Sequence, residues 1–159
     1  MSVLDSPRSA TVTTEPGLDP RGQRFAAAAT VLVLAAVLVA LPSPLAAVLL
    51  AWQVGAFAVG ALVGPAHQPY GQLYRRAVRP RLGPPAQLEE PAPPRFAQAV
   101  GLVFALVGLA GLLLGVTALA YVAVAFALAA ALLNAAFGFC LGCEMYLLAL
   151  RLRRPATAT

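Results

Sequence analysis

Lysine is absent from the 159 residues, histidine occurs once, and carboxylates number only 6. Charged side chains make up 11% of the chain, against roughly 25% in a soluble domain, too few to keep a globular surface in water. The scarcity of acids and histidine also leaves little material for a hydrolase. The chain has no Gly-rich phosphate loop, no Ser/His/Asp set, no haem-type CxxCH and no paired carboxylates in its apolar runs. Two cysteines cannot build a disulfide scaffold. The net charge of +5 rests on 11 arginines, but long apolar runs separate them, so nucleic acid is not an implied partner.

What fills the chain instead is apolar: 60% of residues are hydrophobic and the mean hydropathy is +0.81. Crossing about 30 Å of hydrocarbon takes roughly 17–25 apolar residues. Four runs meet that length, at residues 25–41, 45–64, 96–115 and 118–138, and the last continues apolar to residue 150 with Glu144 as its only charge. Backbone groups in lipid must bond within their own segment, so each run is predicted to be a helix. The fold class is therefore an all-α membrane protein, a four-helix transmembrane bundle of two hairpins. Leu41-Pro42-Ser43-Pro44 and Gly115-Val116-Thr117 make the turns within the hairpins. The fourth run is too long for one span, so a bend is expected around Phe137-Gly138-Phe139, followed by a short interfacial helix over 139–154. Residues 1–24 read as a flexible leader, 65–95 as a loop and 155–159 as a loose tail, with the membrane domain at 25–154.

Every arginine lies before the first run, in the 65–95 loop, or after residue 150, and the two tight turns carry none. Because Lys and Arg favour the cytoplasmic side of short loops, both termini and the middle loop are expected in the cytoplasm, across a bacterial inner membrane. A cleaved signal peptide is the rival reading of the first run. It fits less well, because the run is long for an h-region and its leader carries Asp5, Glu15 and Asp19. Packing faces are expected at Gly60/Gly64, at Gly111/Gly115 and along the stripe Gly101, Gly108, Gly115. Arg24-Phe25-Ala26 and Arg95-Phe96-Ala97 open the two hairpins alike. The offset between them carries Pro69 onto Cys140, which sets His67-Gln68-Pro69-Tyr70 opposite Phe139-Cys140-Leu141-Gly142-Cys143.

The chemistry-bearing group is Cys140-Leu141-Gly142-Cys143-Glu144. A cysteine in the first turn of a helix, particularly in a CxxC, gains thiolate character. Positions i and i+3 are neighbours on one helix face, so the pair could cycle between dithiol and disulfide. Apolar neighbours and Glu144 oppose the thiolate, and plain packing of two small hydrophobes is the bland reading. Cys140 and Cys143 are the candidate redox pair, with Glu144 and His67 as accompanying catalytic groups. No metal is assigned, since CxxC without a second pair is weak evidence for zinc even with Glu144 and His67 added. Arg75 and Arg76, with Tyr70 and Asn134, are the candidate anion-binding residues, suited to a small oxyanion such as thiosulfate. Anionic lipid headgroups are the plainer partner for that loop, and an interhelical polar contact is the plainer role for Asn134.

The stretch Asn134-Ala135-Ala136-Phe137-Gly138-Phe139-Cys140-Leu141-Gly142-Cys143-Glu144-Met145-Tyr146, with Pro69-Tyr70-Gly71 and Arg79-Pro80-Arg81-Leu82, resembles a family of small bacterial membrane proteins known only as a domain of unknown function. The likeness runs from Pro20 to Leu152. Members are encoded near thioredoxin-like proteins and sulfurtransferases, which implies a thiol-redox or sulfur-handling setting and no defined activity. The leading expectation is thus a membrane protein exchanging thiols with a thioredoxin-like or sulfurtransferase partner, without a cofactor. The alternatives are a transporter or channel subunit for a sulfur oxyanion, which needs a homo-oligomer, and a structural membrane anchor.

Overall fold

The computed structural model describes residues 17–153. The leader through residue 16 with Arg8, and the tail from residue 154 with Arg154, lie outside the described residues. Within them the chain is helical, apart from one bridge in which Leu18 and Glu89 exchange backbone bonds of 2.8 and 2.9 Å.

Helix α1 (Pro20–Ala40) begins where Asp19 accepts the Arg21 N–H at 3.0 Å and Pro20 fills the first helical position, where a missing N–H costs nothing. Helix α2 (Pro44–Leu62) also opens on proline, directly after the Leu41–Ser43 turn. A single tight turn (Pro65–His67), the five-residue α3 (Pro69–Leu73), a wide turn (Tyr74–Val78) and another tight turn (Arg79–Arg81) follow. Helix α4 (Ala92–Leu113) carries Pro93 and Pro94 in its first turn, and α5 (Thr117–Phe137) follows a three-residue turn. Gly138, at φ +68°, stops α5 by donating its N–H to the Asn134 carbonyl at 3.0 Å, and α6 (Leu141–Arg153) starts three residues later. The prolines start α1 and α4 ahead of the first apolar residues, Phe25 and Phe96.

The long helices have 21, 19, 22 and 21 residues and are apolar enough to cross a membrane; at 1.5 Å per residue each is about 30 Å long. The chain is an all-helical, four-helix membrane bundle with a shorter C-terminal helix. Its packing inverts that of a soluble protein: Leu32, Val39, Val48, Val103, Leu113 and Phe126 are exposed, while Ala26, Ala46, Ala56, Ala105, Ala120 and Ala123 are buried. Lipid is as apolar as leucine, so close backbone approach rather than water exclusion holds such helices together. Leu34, Val37, Leu41, Ala46, Leu50, Ala120 and Val124 form a dense core toward the two tight turns.

Glycine serves two purposes here, and the expected stripe divides accordingly. A Cβ on Gly101 would lie 2.8 Å from the Phe57 ring, and one on Gly111 would meet the backbone nitrogen of Ala120 at 3.0 Å, so both are contact residues. Gly64 and Gly115 are not packing residues, contrary to expectation. They hold φ of +135° and +75° in the turns that end α2 and α4, a conformation open to a residue without Cβ.

The two hairpins are held by reciprocal arginines. Arg24, at the start of α1, donates through Nη2 to the carbonyls of Ala135 (3.3 Å) and Ala136 (3.2 Å) at the end of α5. Arg95, at the start of α4, donates through Nε to the Ala61 carbonyl (2.8 Å) and through Nη2 to that of Leu62, at the end of α2. Those carbonyls have no partner within their own helix, and a cation there also meets the negative end of the helix dipole. The aromatic pairs repeat as well: Phe25–Tyr74 centroids lie 5.8 Å apart at 44°, and Phe96–Tyr146 5.7 Å apart at 45°. Helix α3 packs on α1 as α6 packs on α4, and α1 packs on α5 as α2 packs on α4. The two halves of the described residues share one plan, a hairpin followed by a short helix.

Arg95→Ala is expected to lower stability by about 1.5–3 kcal/mol, the usual worth of hydrogen bonds to a charged group. Arg95→Lys should recover only part, because one ammonium replaces a two-nitrogen fork. Thermal unfolding of the detergent-solubilised chain measures both.

Candidate functional site

The cysteine segment is formed by the stop of α5 and the start of α6. Cys140 immediately precedes α6: its carbonyl accepts the Glu144 N–H at 3.0 Å, and its Sγ accepts the Cys143 N–H at 3.3 Å. Sulfur thus takes the place that a serine or aspartate oxygen takes at other helix N-termini. Cys140 and Cys143 are joined Sγ to Sγ, with Cα atoms 5.2 Å apart. Helix α4 holds this turn in place. Gly142 lies so close to α4 that a Cβ would come within 2.7 Å of the Ala97 Cα, and Tyr146 rests on Phe96.

Two cavities meet at Cys140. One, of about 610 Å³, lies inside the arginine-rich end of the bundle, walled by Ala27, Thr30, Gly101, Phe104, Ala127 and Ala130. The other, of about 350 Å³, lies under the loop and is lined by Arg24, Glu89, Glu90, Cys143 and Glu144. Gln23, Pro94, Asn134 and Cys140 line both. Cys140 therefore belongs to an apolar interior and a polar exterior at once, whereas Cys143 lines only the polar side.

The middle loop closes the inner cavity by folding back into the bundle. Tyr70 and Tyr74 are buried at 8% and 3% exposure, so the tyrosines do not rest on a lipid surface. The Tyr70 hydroxyl receives the Trp52 indole N–H and donates to Gln53 Oε1, both at 2.9 Å, which gives the buried Gln53 of α2 a partner. Burial raises the Tyr70 pKa above its ordinary value, and the Trp52 hydrogen bond opposes this in part. Gln68 is 1% exposed and lines the inner cavity; its Oε1 accepts from Gln98 Nε2 at 3.4 Å. Gln68 Nε2 and Gln98 Oε1 find no partner among the described residues.

Sequence reading grouped eight residues, and the structure separates them. Cys140, Cys143, Glu144 and Asn134 share the polar cavity. Arg75 lines the inner cavity with Arg79, while Arg76 and His67 are exposed and line neither. Tyr70 sits between α1 and α2, with its hydroxyl bonded to Trp52 and Gln53, and lines neither cavity. Gln68, Gln98, Thr30 and Arg24 were not expected at the site. Gln98 was visible as a polar interruption of an apolar run; Gln68 carried no signal beyond its place in the repeat. Counted from helix starts, Gln68 precedes α3 as Cys140 precedes α6, one residue from the Pro69 that the Arg24–Arg95 offset selects.

A family model described as "Domain of unknown function (DUF4395)" matches residues 18–151. No curated protein and no solved structure matches the chain significantly.

Loop docking also depends on Asp19, which accepts from the Tyr74 hydroxyl at 3.0 Å and pairs with Arg21 at 3.1 Å. Burial is the largest single influence and disfavours its charge. The Arg21 side chain and N–H and the Tyr74 hydroxyl together outweigh it and hold the pKa below the ordinary value. A carboxyl that binds its proton less readily folded than unfolded stabilises fully above its unfolded value of about 3.9, and the contribution fades as pH falls through the lower folded value. Asp19→Asn keeps a capping oxygen but removes the charge. It should unfold at a lower temperature than the natural chain at neutral pH, and thermal scans should show the gap closing below about pH 4.

Proposed function

The chain belongs to the DUF4395 family, whose description assigns no activity, and from that premise we propose that it is a thiol–disulfide exchange protein of the bacterial inner membrane. The observation that carries the reading is the Cys140 Sγ accepting the Cys143 N–H at the start of α6, in a residue that also lines a polar cavity. A helix N-terminus and a backbone donor both favour the anionic form of that sulfur, and its neighbour three residues on is already within bonding geometry. The placement of the arginines in the middle loop and toward both ends of the sequence supports a cytoplasmic position for this face. Its partner is a soluble thioredoxin-like or sulfurtransferase protein.

In the exchange, one thiolate of the partner attacks Cys140 Sγ, the Cys140–Cys143 bond breaks, and Cys143 leaves as thiolate. The partner's second thiolate then attacks its own sulfur in the mixed disulfide and releases Cys140. Two electrons pass from partner to chain. Glu144, beside Cys143 in the polar cavity, relays the proton that Cys143 takes up, and exposed His67 carries protons at the loop surface. A second reading, passage of a small sulfur oxyanion through an oligomer, is favoured by Arg75 and Arg79 lining the inner cavity that Cys140 also lines. Labelled thiosulfate entering proteoliposomes faster than empty vesicles would support that reading; equal rates would dismiss it.

Cys143→Ser should trap a mixed disulfide between Cys140 and a thioredoxin-like partner. Alkylation across a pH series should give Cys140 in that variant a pKa below the ordinary thiol value of about 8.5. A Cys140 that titrates at or above that value and forms no mixed disulfide removes the proposal.

A further inference from the structure

An exchange that loads two electrons onto this chain needs somewhere to deliver them, and the described residues hold no second cysteine pair. The inner cavity has the character of an acceptor site. At about 610 Å³ it falls within the roughly 300–1,000 Å³ usual for small-molecule sites. Its walls are largely alanine, glycine and phenylalanine, with Gln98, Asn134, Arg75 and Arg79 also lining it, and its exposed apolar members Phe126, Leu141 and Met145 continue it to the lipid-facing side of the bundle. Cys140 lines it. Gln68 lines it too, 1% exposed, with an amide nitrogen that has no partner. An unpaired buried donor is costly to a fold, and rotation about the soft terminal torsion of glutamine presents it to whatever occupies the cavity.

We propose that the inner cavity binds a lipophilic quinone, its carbonyl hydrogen-bonded by Gln68, and that this quinone oxidises the Cys140–Cys143 dithiol. The inference rests on the reading of the pair as a redox couple. A ring bearing two carbonyl acceptors and an apolar tail matches this lining: amide and guanidinium donors set in mainly apolar walls, Gln68 being the buried amide with an unpaired nitrogen, and an opening toward lipid. The Cys140 thiolate adds to the quinone ring. The Cys143 thiolate then attacks Cys140 Sγ, forming the S–S bond as the sulfur–ring bond breaks, and its electron pair stays on the ring. The quinone takes up two protons, one from each thiol, and leaves as quinol. The pair is oxidised by two electrons and the quinone reduced by two. Cys140 is the sulfur common to both half-reactions because it alone of the pair lines both cavities.

The test uses the full chain in lipid nanodiscs, reduced, freed of reductant without oxygen and mixed with decylubiquinone. Quinol should form in proportion to chain as thiol titration falls to zero, and Cys140→Ser and Cys143→Ser should each form none. Ala130→Trp, which fills the cavity, should slow quinol formation at least about tenfold while its Cys143→Ser derivative still traps the thioredoxin-like partner. Should Ala130→Trp not fold, Gln68→Leu provides the second measurement: decylubiquinone binding about tenfold weaker, as expected for one lost hydrogen bond, with thermal stability unchanged or raised. No quinol from the natural chain, or quinol formed at the natural rate with the cavity filled, overturns the proposal. Quinol formation without any partner exchange would retire the thioredoxin-like partner and leave the quinone site standing.

Discussion

The reciprocal arginine caps are the constraint on which the rest of the molecule depends. A helix that ends inside protein near the membrane surface leaves carbonyls without donors, and in this bundle each hairpin supplies the donor for the other. Arg24 and Arg95, near the starts of α1 and α4, tie those starts to the ends of α5 and α2. The end of α5 held in this way is followed at once by Gly138, and Cys140 stands directly before α6. Close helix contact does the remaining work through small residues, which hold helices together without filling the space between them. That is why a dense core at the tight-turn end gives way to a cavity at the arginine end.

The shared plan of the two halves gives the site two unlike sides. At the start of the first short helix stands Gln68, buried and incompletely hydrogen-bonded; at the start of the second stands Cys140, its sulfur capped by a backbone N–H. Both line the same cavity. In the first half the short helix is packed into the bundle, with Tyr70 anchored to Trp52 and Gln53 and Tyr74 to Asp19. In the second it is the longer α6, with none of its residues buried. Repeat architectures often set their functional groups at the interface of the repeats, and here Gln68 and Cys140 stand at corresponding places beside one cavity.

The architecture was legible because its signals are physical limits rather than tendencies. Apolar runs of bilayer length can only be helices, proline and glycine mark where they begin and turn, and Arg24 and Arg95 announced the repeat. What the sequence hid was the loop. Its prolines, arginines and tyrosines read as a solvated segment lying on headgroups, because nothing in composition reveals that Gln53, isolated in α2, needs a partner and that Tyr70 is long enough to reach it. Gln68 was hidden for the same reason: an amide draws attention inside an apolar run, but not in a loop that returns to the bundle. The glycine stripe misled at Gly64 and Gly115, where spacing mimicked a packing face although the backbone required a turn.

The placement of Cys140 also resolves a conflict between its neighbours. Cys140 is half-buried, and Glu89, Glu90 and Glu144 line the polar cavity that it also lines; partial burial and negative charge both disfavour a thiolate. Against them stand the Cys143 N–H, the positive end of α6 and Arg24, which lines the same polar cavity while its Nη2 is held on the α5 carbonyls. These opposing influences do not act equally on the two sulfurs. The helix dipole and the capping bond act on the residue before the helix and fall away within a turn, so once the bond between the sulfurs is reduced they would favour a thiolate at Cys140 over one at Cys143. In a thiol pair the sulfur with more thiolate character is both the more available nucleophile and the better leaving group, and ending one helix and beginning the next within three residues is what sets Cys140 apart from Cys143 in this respect.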